Sequence, residues 1–221
     1  MRNAEASIDT RPGAAESPAA LTVRRFGLRE YEPVWREMQA FNAARNTGTA
    51  DEIWLVQHPP VYTVGLAGRP EHLPAGSAIP VIRTDRGGQI TYHGPGQLVA
   101  YLLLDLNRRA LGVRHLVRRM EGAVIDLLGE YGVAAEGRKN MPGVYVGSEK
   151  IAALGLRIRK GCCYHGLSLN VDMDLAPFAA IDPCGYPGLA VTQTSDLGIS
   201  AGIEELGTRL VRHLKTQLAH P

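Results

Sequence analysis

The chain lacks any long apolar run. No stretch approaches the ~20 residues of a membrane-spanning helix, so a protein embedded in the bilayer is not expected. Charge of one sign is lacking too. The formal net charge is +2, far short of the basic footprint of a nucleic-acid binder. Cysteine is scarce, at three residues with two adjacent at Cys162 and Cys163. That is a poor disulfide framework and suits a reducing, cytoplasmic setting. There is no C-x-x-C, no H-E-x-x-H among the seven histidines and no G-x-x-x-x-G-K-[ST], so neither a zinc site nor a phosphate-cradling loop announces itself. Cys162, Cys163 and His165 are close in sequence, and strand alternation puts Cys163 and His165 on one face with Cys162 on the other. Two ligands on one face are too few, and no metal is expected.

What remains is a chain of 221 residues, enough for one domain with a well-buried core. Residues 1–20 are rich in Ala, Pro, Ser, Glu and Arg. They have no apolar h-region for a signal peptide and are too acidic for a transit peptide. They read as a disordered tail ahead of a single domain over 21–221.

The pattern within that domain mixes two periods. Short runs predict strands at 21–26, 53–57, 61–64, 80–84, 97–106 and 162–171. Pro142–Val146 and Lys150–Ile158, joined at Gly147-Ser148, read as a hairpin. Helical spacing predicts a helix over 30–46, with Pro33 in its first turn. A second runs from Val113 to Tyr131 with Gly132 at its C-terminal stop. A third runs from Ile203 to Leu218 with Ser200 as N-cap. Between them, 172–180 is a connection in which Pro177 marks a helix start. Many strands and three helices without regular βαβ alternation predict an α+β domain with a mixed sheet.

The stretch that stands out is Arg86-Gly87-Gly88-Gln89-Ile90-Thr91-Tyr92-His93-Gly94-Pro95-Gly96-Gln97. Glycine admits close approach of a ligand or another chain. Arg86, Thr91, Tyr92, His93 and Gln97 add donors, an aromatic face and a titratable ring. The stretch feeds a nearly continuous apolar run to Leu104, which reads as a strand buried on both faces. A polar glycine loop ahead of a core strand is the layout of a binding loop on a rigid scaffold. Gly94-Pro95-Gly96 begins like a dinucleotide fingerprint, but Val99 stands where its third glycine belongs.

Two further residues have chemistry to offer. Cys184 sits in the turn Asp182-Pro183-Cys184-Gly185 and reads either as an exposed nucleophile or as an idle loop thiol. Lys150 lies beside a hairpin turn, where a lysine is ordinarily solvated. His93 and His165 read as pocket or core histidines, with His93 the better functional candidate. On the second helix Arg114, Arg118 and Arg119 form an ordinary solvated face, or with Arg157 and Arg159 a docking surface for an acidic partner.

Residues 86–101 resemble the signature of the lipoyl(octanoyl) transferases, also called lipoate-protein ligase B, which is R-G-G-x-x-T-aromatic-H-G-P-G-Q followed by an apolar strand ending in Tyr. Three more segments match. Lys150-Ile151-Ala152-Ala153-Leu154-Gly155 resembles that family's lysine motif. Tyr164-His165-Gly166-Leu167-Ser168-Leu169-Asn170 resembles its aromatic-H-G strand, and Asp182-Pro183-Cys184-Gly185 its nucleophile motif. The resemblance spans about 21–215.

The resemblance implies the fold of the biotin and lipoate protein ligase catalytic domain, and an enzyme that needs no cofactor. Octanoyl-acyl carrier protein would be the donor and Cys184 the acyl-carrying nucleophile, with Lys150 activating it. The acceptors would be lysines on lipoyl domains of 2-oxoacid dehydrogenase E2 subunits and on the glycine cleavage H protein. It further implies that Arg86, Gly87, Gly88, Gln89, Ile90, Thr91, Tyr92, His93, Ala153, Leu154, Gly155, Gly166, Leu167 and Ser168 bind the substrate. An ATP-dependent lipoate or biotin ligase on the same fold is the alternative, and a non-catalytic binder of lipoyl domains or carrier proteins a third reading.

Overall fold

The computed structural model describes residues 21–69, 77–181 and 188–219. The expected tail at 1–20 and the turn holding Cys184 lie outside the described residues.

Among the described residues, ten strands and three helices run in the order β1 (Leu21–Leu28), α1 (Tyr31–Ala44), β2 (Asp51–Gln57), β3 (Val61–Val64), β4 (Val81–Arg83), β5 (Ile90–His93), β6 (Gln97–Asp105), α2 (Val113–Gly129), β7 (Glu136–Arg138), β8 (Met141–Val146), β9 (Glu149–Arg159), β10 (Cys162–Asn170) and α3 (Ile203–Ala219). Seven strands form one sheet in the order β1-β2-β6-β10-β9-β8-β7, and β4-β3-β5 form a small second sheet. The β1/β2 and β3/β4 pairs are parallel, and the rest antiparallel. This is the mixed-sheet α+β class expected.

The apolar run after the glycines is β6, next to the centre of the large sheet. Its even-numbered residues Leu98, Ala100, Leu102 and Leu104 join the core under α2 and α3. Its odd-numbered residues Val99, Tyr101 and Leu103 join the core under α1. Both faces are covered, so the alternation of a one-sided strand never shows. On α2 the buried stripe is Leu116, Met120, Ala123, Val124, Leu127 and Leu128. Val113, at the start of the helix, is 43% exposed. Gly132 adopts φ +74° and the Val133 N–H bonds Leu128 O at 3.1 Å, which is the left-handed stop predicted there.

Three local expectations change. Residues 86–97 are not one loop, because Ile90–His93 pairs with β3 as strand β5. Short β7 was not foreseen, its three residues carrying no alternation. Ser200 does not start α3: Gly202 O accepts the Leu206 N–H, which puts Gly202 at the cap. The 3₁₀ turn Ala176–Ala180, with a proline in its first two positions, begins where Pro177 marked a helix start.

Gly96 and Gly166 are fixed by close backbone approach. At Gly96, with φ +88°, a Cβ would lie 1.9 Å from Asp172 O, and at Gly166 it would lie 2.1 Å from Ala100 O. Neither neighbour is a side chain that could swing away.

The far end of the sheet is held by Asp51, which is fully buried. Its carboxylate bonds Arg45, Arg108 at 2.8 Å and Arg109 at 2.5 Å, and accepts the Asp105 N–H at 2.9 Å. Removing one partner of a buried ion pair costs about 3–5 kcal/mol, because the partners left behind remain desolvated. Asp51→Ala should therefore lower the urea midpoint sharply, with Asp51→Asn intermediate. Equal midpoints for all three proteins would show that the cluster contributes no net stability.

Candidate active site

Arg86 shapes the glycine segment. Its Nε donates to Thr63 Oγ1 at 3.2 Å, its Nη1 to Gly87 O at 3.0 Å, and its Nη2 to Thr63 O at 2.5 Å and Gln89 O at 2.8 Å. The planar fork thus ties the turn at 87–89 to β3, a task the point charge of lysine cannot do. The turn reaches the large sheet through Gly87 N–H to Leu156 O at 2.8 Å. Gly155 lies opposite, where a Cβ would be 3.1 Å from Gly87 O.

His93, at the end of β5, is buried with both ring nitrogens engaged. Nδ1 lies 2.7 Å from Gln97 Oε1 and Nε2 lies 3.3 Å from Thr63 Oγ1. The amide of Gln97 donates to Asn170 Oδ1 at 2.9 Å, so its oxygen is left to accept from His93 Nδ1–H. Burial, helped by the nearby His58, pushes the His93 pKa down to about 3. His58 behaves alike, its Nδ1 2.7 Å from Arg29 O and its Nε2 2.7 Å from Tyr101 Oη. A carbonyl only accepts, so Nδ1 carries the proton and Nε2 accepts from the tyrosine. Burial lowers the His58 pKa to about 4. Both rings are neutral at pH 7.

Arg86 and His93, but not His58, border a partly open pocket with a cavity volume of about 50 Å³. Every expected substrate-binding residue lines it except Gly87 and Tyr92. Gly87 borders a neighbouring cavity on the α2 side. Tyr92 turns away, packing with Tyr62 and Phe178. Tyr31, Val99, Tyr101 and His165 also line the pocket. Val99 follows from alternation with Tyr101 along β6, whereas nothing local in the sequence flagged Tyr31 on α1.

His165 does not share a face with Cys163. Its φ is +63°, and this left-handed residue breaks the alternation of β10. Cys163, Leu167 and Leu169 face α2 and α3, while His165 stacks on Tyr164, with ring centroids 5.1 Å apart. Its Nε2 lies 3.0 Å from Asp85 Oδ1. Asp85 also accepts from Trp35 Nε1 at 2.8 Å, Gln39 Nε2 at 3.1 Å and the Tyr164 hydroxyl. Burial opposes the charge on Asp85, but the four donors, His165 and Tyr164 foremost, outweigh it and hold the carboxyl well below the usual range. Asp85 was not singled out in the sequence.

Lys150 is buried, 3% exposed, unlike most lysines beside hairpin turns. Nζ donates to Pro142 O at 3.0 Å and lies 5.4 Å from the centroid of the Tyr145 ring. Gly143 makes the space, since a Cβ there would sit 2.4 Å from Lys150 Cε. Glu121 on α2 holds that glycine, accepting its N–H at 3.0 Å. Burial raises the Glu121 pKa against the opposing pull of the Gly143 N–H, Lys150 and Arg118. Lys150 also borders a small cavity that shares Thr91, Ala153 and Ser168 with the main pocket. Its backbone is bracketed by the chain just beyond 182–187: Lys150 N–H bonds Ala190 O at 2.9 Å, and Thr192 N–H bonds Lys150 O at 3.0 Å.

Cys163 is buried, its thiol directed at Leu102 O at 3.3 Å, and burial pushes its pKa up to about 12. Burial raises Cys162 as well. Neither is poised as a thiolate. No group of three or more His, Cys, Asp or Glu among the described residues could hold a metal ion. The arginines divide. Arg157 lies opposite Tyr164 in the strand register, on the α1 face, whereas Arg114, Arg118 and Arg119 ride on α2, across the sheet. The five do not form one surface.

The neutral histidines carry a pH consequence. An unfolded histidine titrates near 6.5, but His58 and His93 do so at about 4 and about 3 when folded. Below pH 6.5 the unfolded chain binds more protons, so stability falls as pH drops from 6.5 toward 4, by at most about 1.4 kcal/mol per pH unit per histidine. Melting temperatures across this range should fall less steeply in His58→Gln than in the parent. Parallel slopes would mean that His58 is protonated in the folded protein.

Comparison with known proteins agrees with this geometry. Residues 31–215 match the lipoyl protein ligase A/B catalytic domain. The octanoyltransferase of Nitrosospira multiformis is 61% identical over 212 residues, covering 96% of this chain and 97% of that protein. The octanoyltransferase of Thiobacillus denitrificans is 63% identical over 190 residues, covering 86% and 87%. Among solved structures, a bipartite lipoate protein ligase from Thermoplasma acidophilum superposes with a TM-score of 0.72 at 17% identity, over 89% of this chain and 83% of that one. The biotin protein ligase of Aquifex aeolicus gives 0.52 at 11% identity, over 90% and 69%. The structural matches establish the shared catalytic fold, and the sequence matches establish more: the chain belongs to the octanoyltransferases, an acyltransferase family built on the lipoyl protein ligase A/B catalytic domain.

Proposed function

We propose that the enzyme moves an octanoyl group from a carrier-protein thioester to Cys184, and from there to the ε-amine of a lysine on a lipoyl domain. The single observation that supports this best is the buried Lys150, which borders a small cavity sharing Thr91, Ala153 and Ser168 with the apolar pocket and whose backbone is bracketed by Ala190 and Thr192. Those residues follow Cys184 by only six and eight positions. The elevated thiols of Cys162 and Cys163 point the same way.

The balance of the reaction follows from a Cys184 thiolate paired with the Lys150 ammonium. The thiolate attacks the octanoyl carbonyl carbon, a new C–S bond forms, and the carrier's C–S bond breaks. Lys150 gives its proton to the departing carrier thiolate and becomes a neutral amine. The neutral amine of the acceptor lysine then attacks the enzyme thioester. Lys150 takes the proton that the new C–N bond displaces, and Cys184 leaves as thiolate. The starting ion pair is restored, and the donor thioester needs no ATP.

The substrate residues divide the remaining work. Ile90, Leu154 and Leu167 give apolar walls, Ala153 and Ser168 border both the pocket and the Lys150 cavity, and the 87–89 turn closes one side. The acceptors are lipoyl domains of 2-oxoacid dehydrogenase E2 subunits and the glycine cleavage H protein, with octanoyl-acyl carrier protein as donor. A free thiol is required, which suits a reducing compartment such as the cytoplasm.

Intact-mass measurement after incubation with octanoyl-carrier protein tests the scheme. The parent should gain one octanoyl adduct on Cys184, and Cys184→Ala none. Lys150→Met should load slowly, faster as pH rises, and the pH midpoint for alkylation of its Cys184 should climb toward or past the unperturbed ~8.5. An adduct on Cys162 or Cys163 alone, or ATP-dependent product from Cys184→Ala, would overturn the assignment. The latter result would indicate a ligase.

A further inference from the structure

We infer that the Asp85–His165 pair is the far wall of the acyl pocket, where it limits chain length and presents a hydrogen-bond acceptor to a donor group near the end of the acyl chain. This rests on the reading above, in which Lys150 marks the reacting end.

The ruler comes from β10. Ser168 borders both the pocket and the Lys150 cavity, so it stands at the reacting end. His165 lies three residues back along the strand, about 10 Å away at ~3.3 Å per residue. An extended chain advances about 3.6 Å per three bonds, so the seven bonds of an eight-carbon acyl group span about 8–9 Å. The last carbon of such a chain therefore arrives at His165. The wall is stiff, since four donors hold Asp85 and Asp85 holds the imidazole.

The wall is also polar. Asp85 is held ionised and can only accept, so His165 Nε2 carries the proton. Burial keeps the ring neutral against the pull of Asp85. Nδ1 is then a bare lone pair. It is buried and has no hydrogen-bond partner among the described residues, in a side chain that lines the pocket and is 1% exposed. A plain alkyl end leaves that acceptor unmet, whereas a terminal hydroxyl or thiol would satisfy it. The matching substrate class is a medium-length acyl group, of about eight carbons, with room for a donor at its far end.

Calorimetric binding of free octanoate, 8-hydroxyoctanoate, decanoate and dodecanoate to the parent protein tests the polar wall without any variant. The hydroxylated acid should bind several-fold tighter than octanoate, and each methylene beyond the ruler should cost about tenfold. Equal binding of octanoate and 8-hydroxyoctanoate would overturn the acceptor role. Transfer rates from carrier-protein thioesters of the same acids then compare the parent with His165→Gly, a residue that accepts the left-handed φ, and with His165→Asn. Both smaller side chains should shift the preferred length by two or more carbons and erase the hydroxyl preference. An unchanged length profile would overturn the ruler. Absence of transfer from every thioester by the parent would instead refute the octanoyl-transfer reading on which the ruler stands.

Discussion

One side-chain amide joins the parts of this site. Gln97 opens β6, accepts from His93 and donates to Asn170 at the end of β10. Asn170 in turn donates to Thr192 O at 2.9 Å, and the Thr192 N–H bonds the backbone of Lys150. A continuous series of hydrogen bonds thus runs from the glycine segment, across the central strands, to the buried lysine. The three side chains that carry it, His93, Gln97 and Asn170, are buried, where each unmet bond costs more than in water and neighbouring bonds polarise one another. The glutamine is therefore as much a part of the site as any residue that borders the pocket.

The surroundings impose what the network demands. β6 and β10 sit near the middle of the seven-stranded sheet and are covered on both faces, so their register is set by apolar packing rather than by the polar residues at their ends. Backbone contacts at Gly96 and Gly166 leave no room for a side chain. The small sheet is pinned to this frame by Arg86, whose guanidinium meets β3 and the 87–89 turn together. A rigid scaffold with its polar groups paired off is what precise placement of a reacting carbonyl needs.

Legibility in the sequence followed the range of the interactions. The helices, the hairpin and β6 were readable, because periodicity and turn chemistry are local. The pocket residues of 86–93, 153–155 and 166–168 were legible as motifs, dense in glycine and donors. Asp85 was not, because its partners Trp35, Gln39, Tyr164 and His165 are far away in the chain. Tyr31 stayed hidden for the same reason. His165 was placed on the wrong face because alternation assumes extended backbone, and a single left-handed residue reverses it. The burial of Lys150 depends on Gly143 and on Glu121 from a different element, which no hairpin rule contains.

The arrangement also bears on why such a site would transfer rather than hydrolyse. A thioester beside an imidazole invites water, since a neutral histidine with a free nitrogen is a competent general base. His165 and His93 line this pocket, and His58 stands beside His93, the two ring centroids 5.9 Å apart. Yet both nitrogens of His58 and of His93 are committed to protein groups, and burial keeps both rings neutral. Neither can take a proton from water without breaking a buried hydrogen bond. The third, His165, has a bare nitrogen, but it stands about 10 Å along β10 by strand rise from Ser168, the end at which the reaction is proposed, beyond the reach of a carbonyl there. Lys150, the proposed proton carrier, borders a cavity walled by Ile151, Ala152 and Phe178. On the proposed mechanism, the acyl group would wait in an apolar channel whose bases are occupied or distant, until an amine arrives from outside.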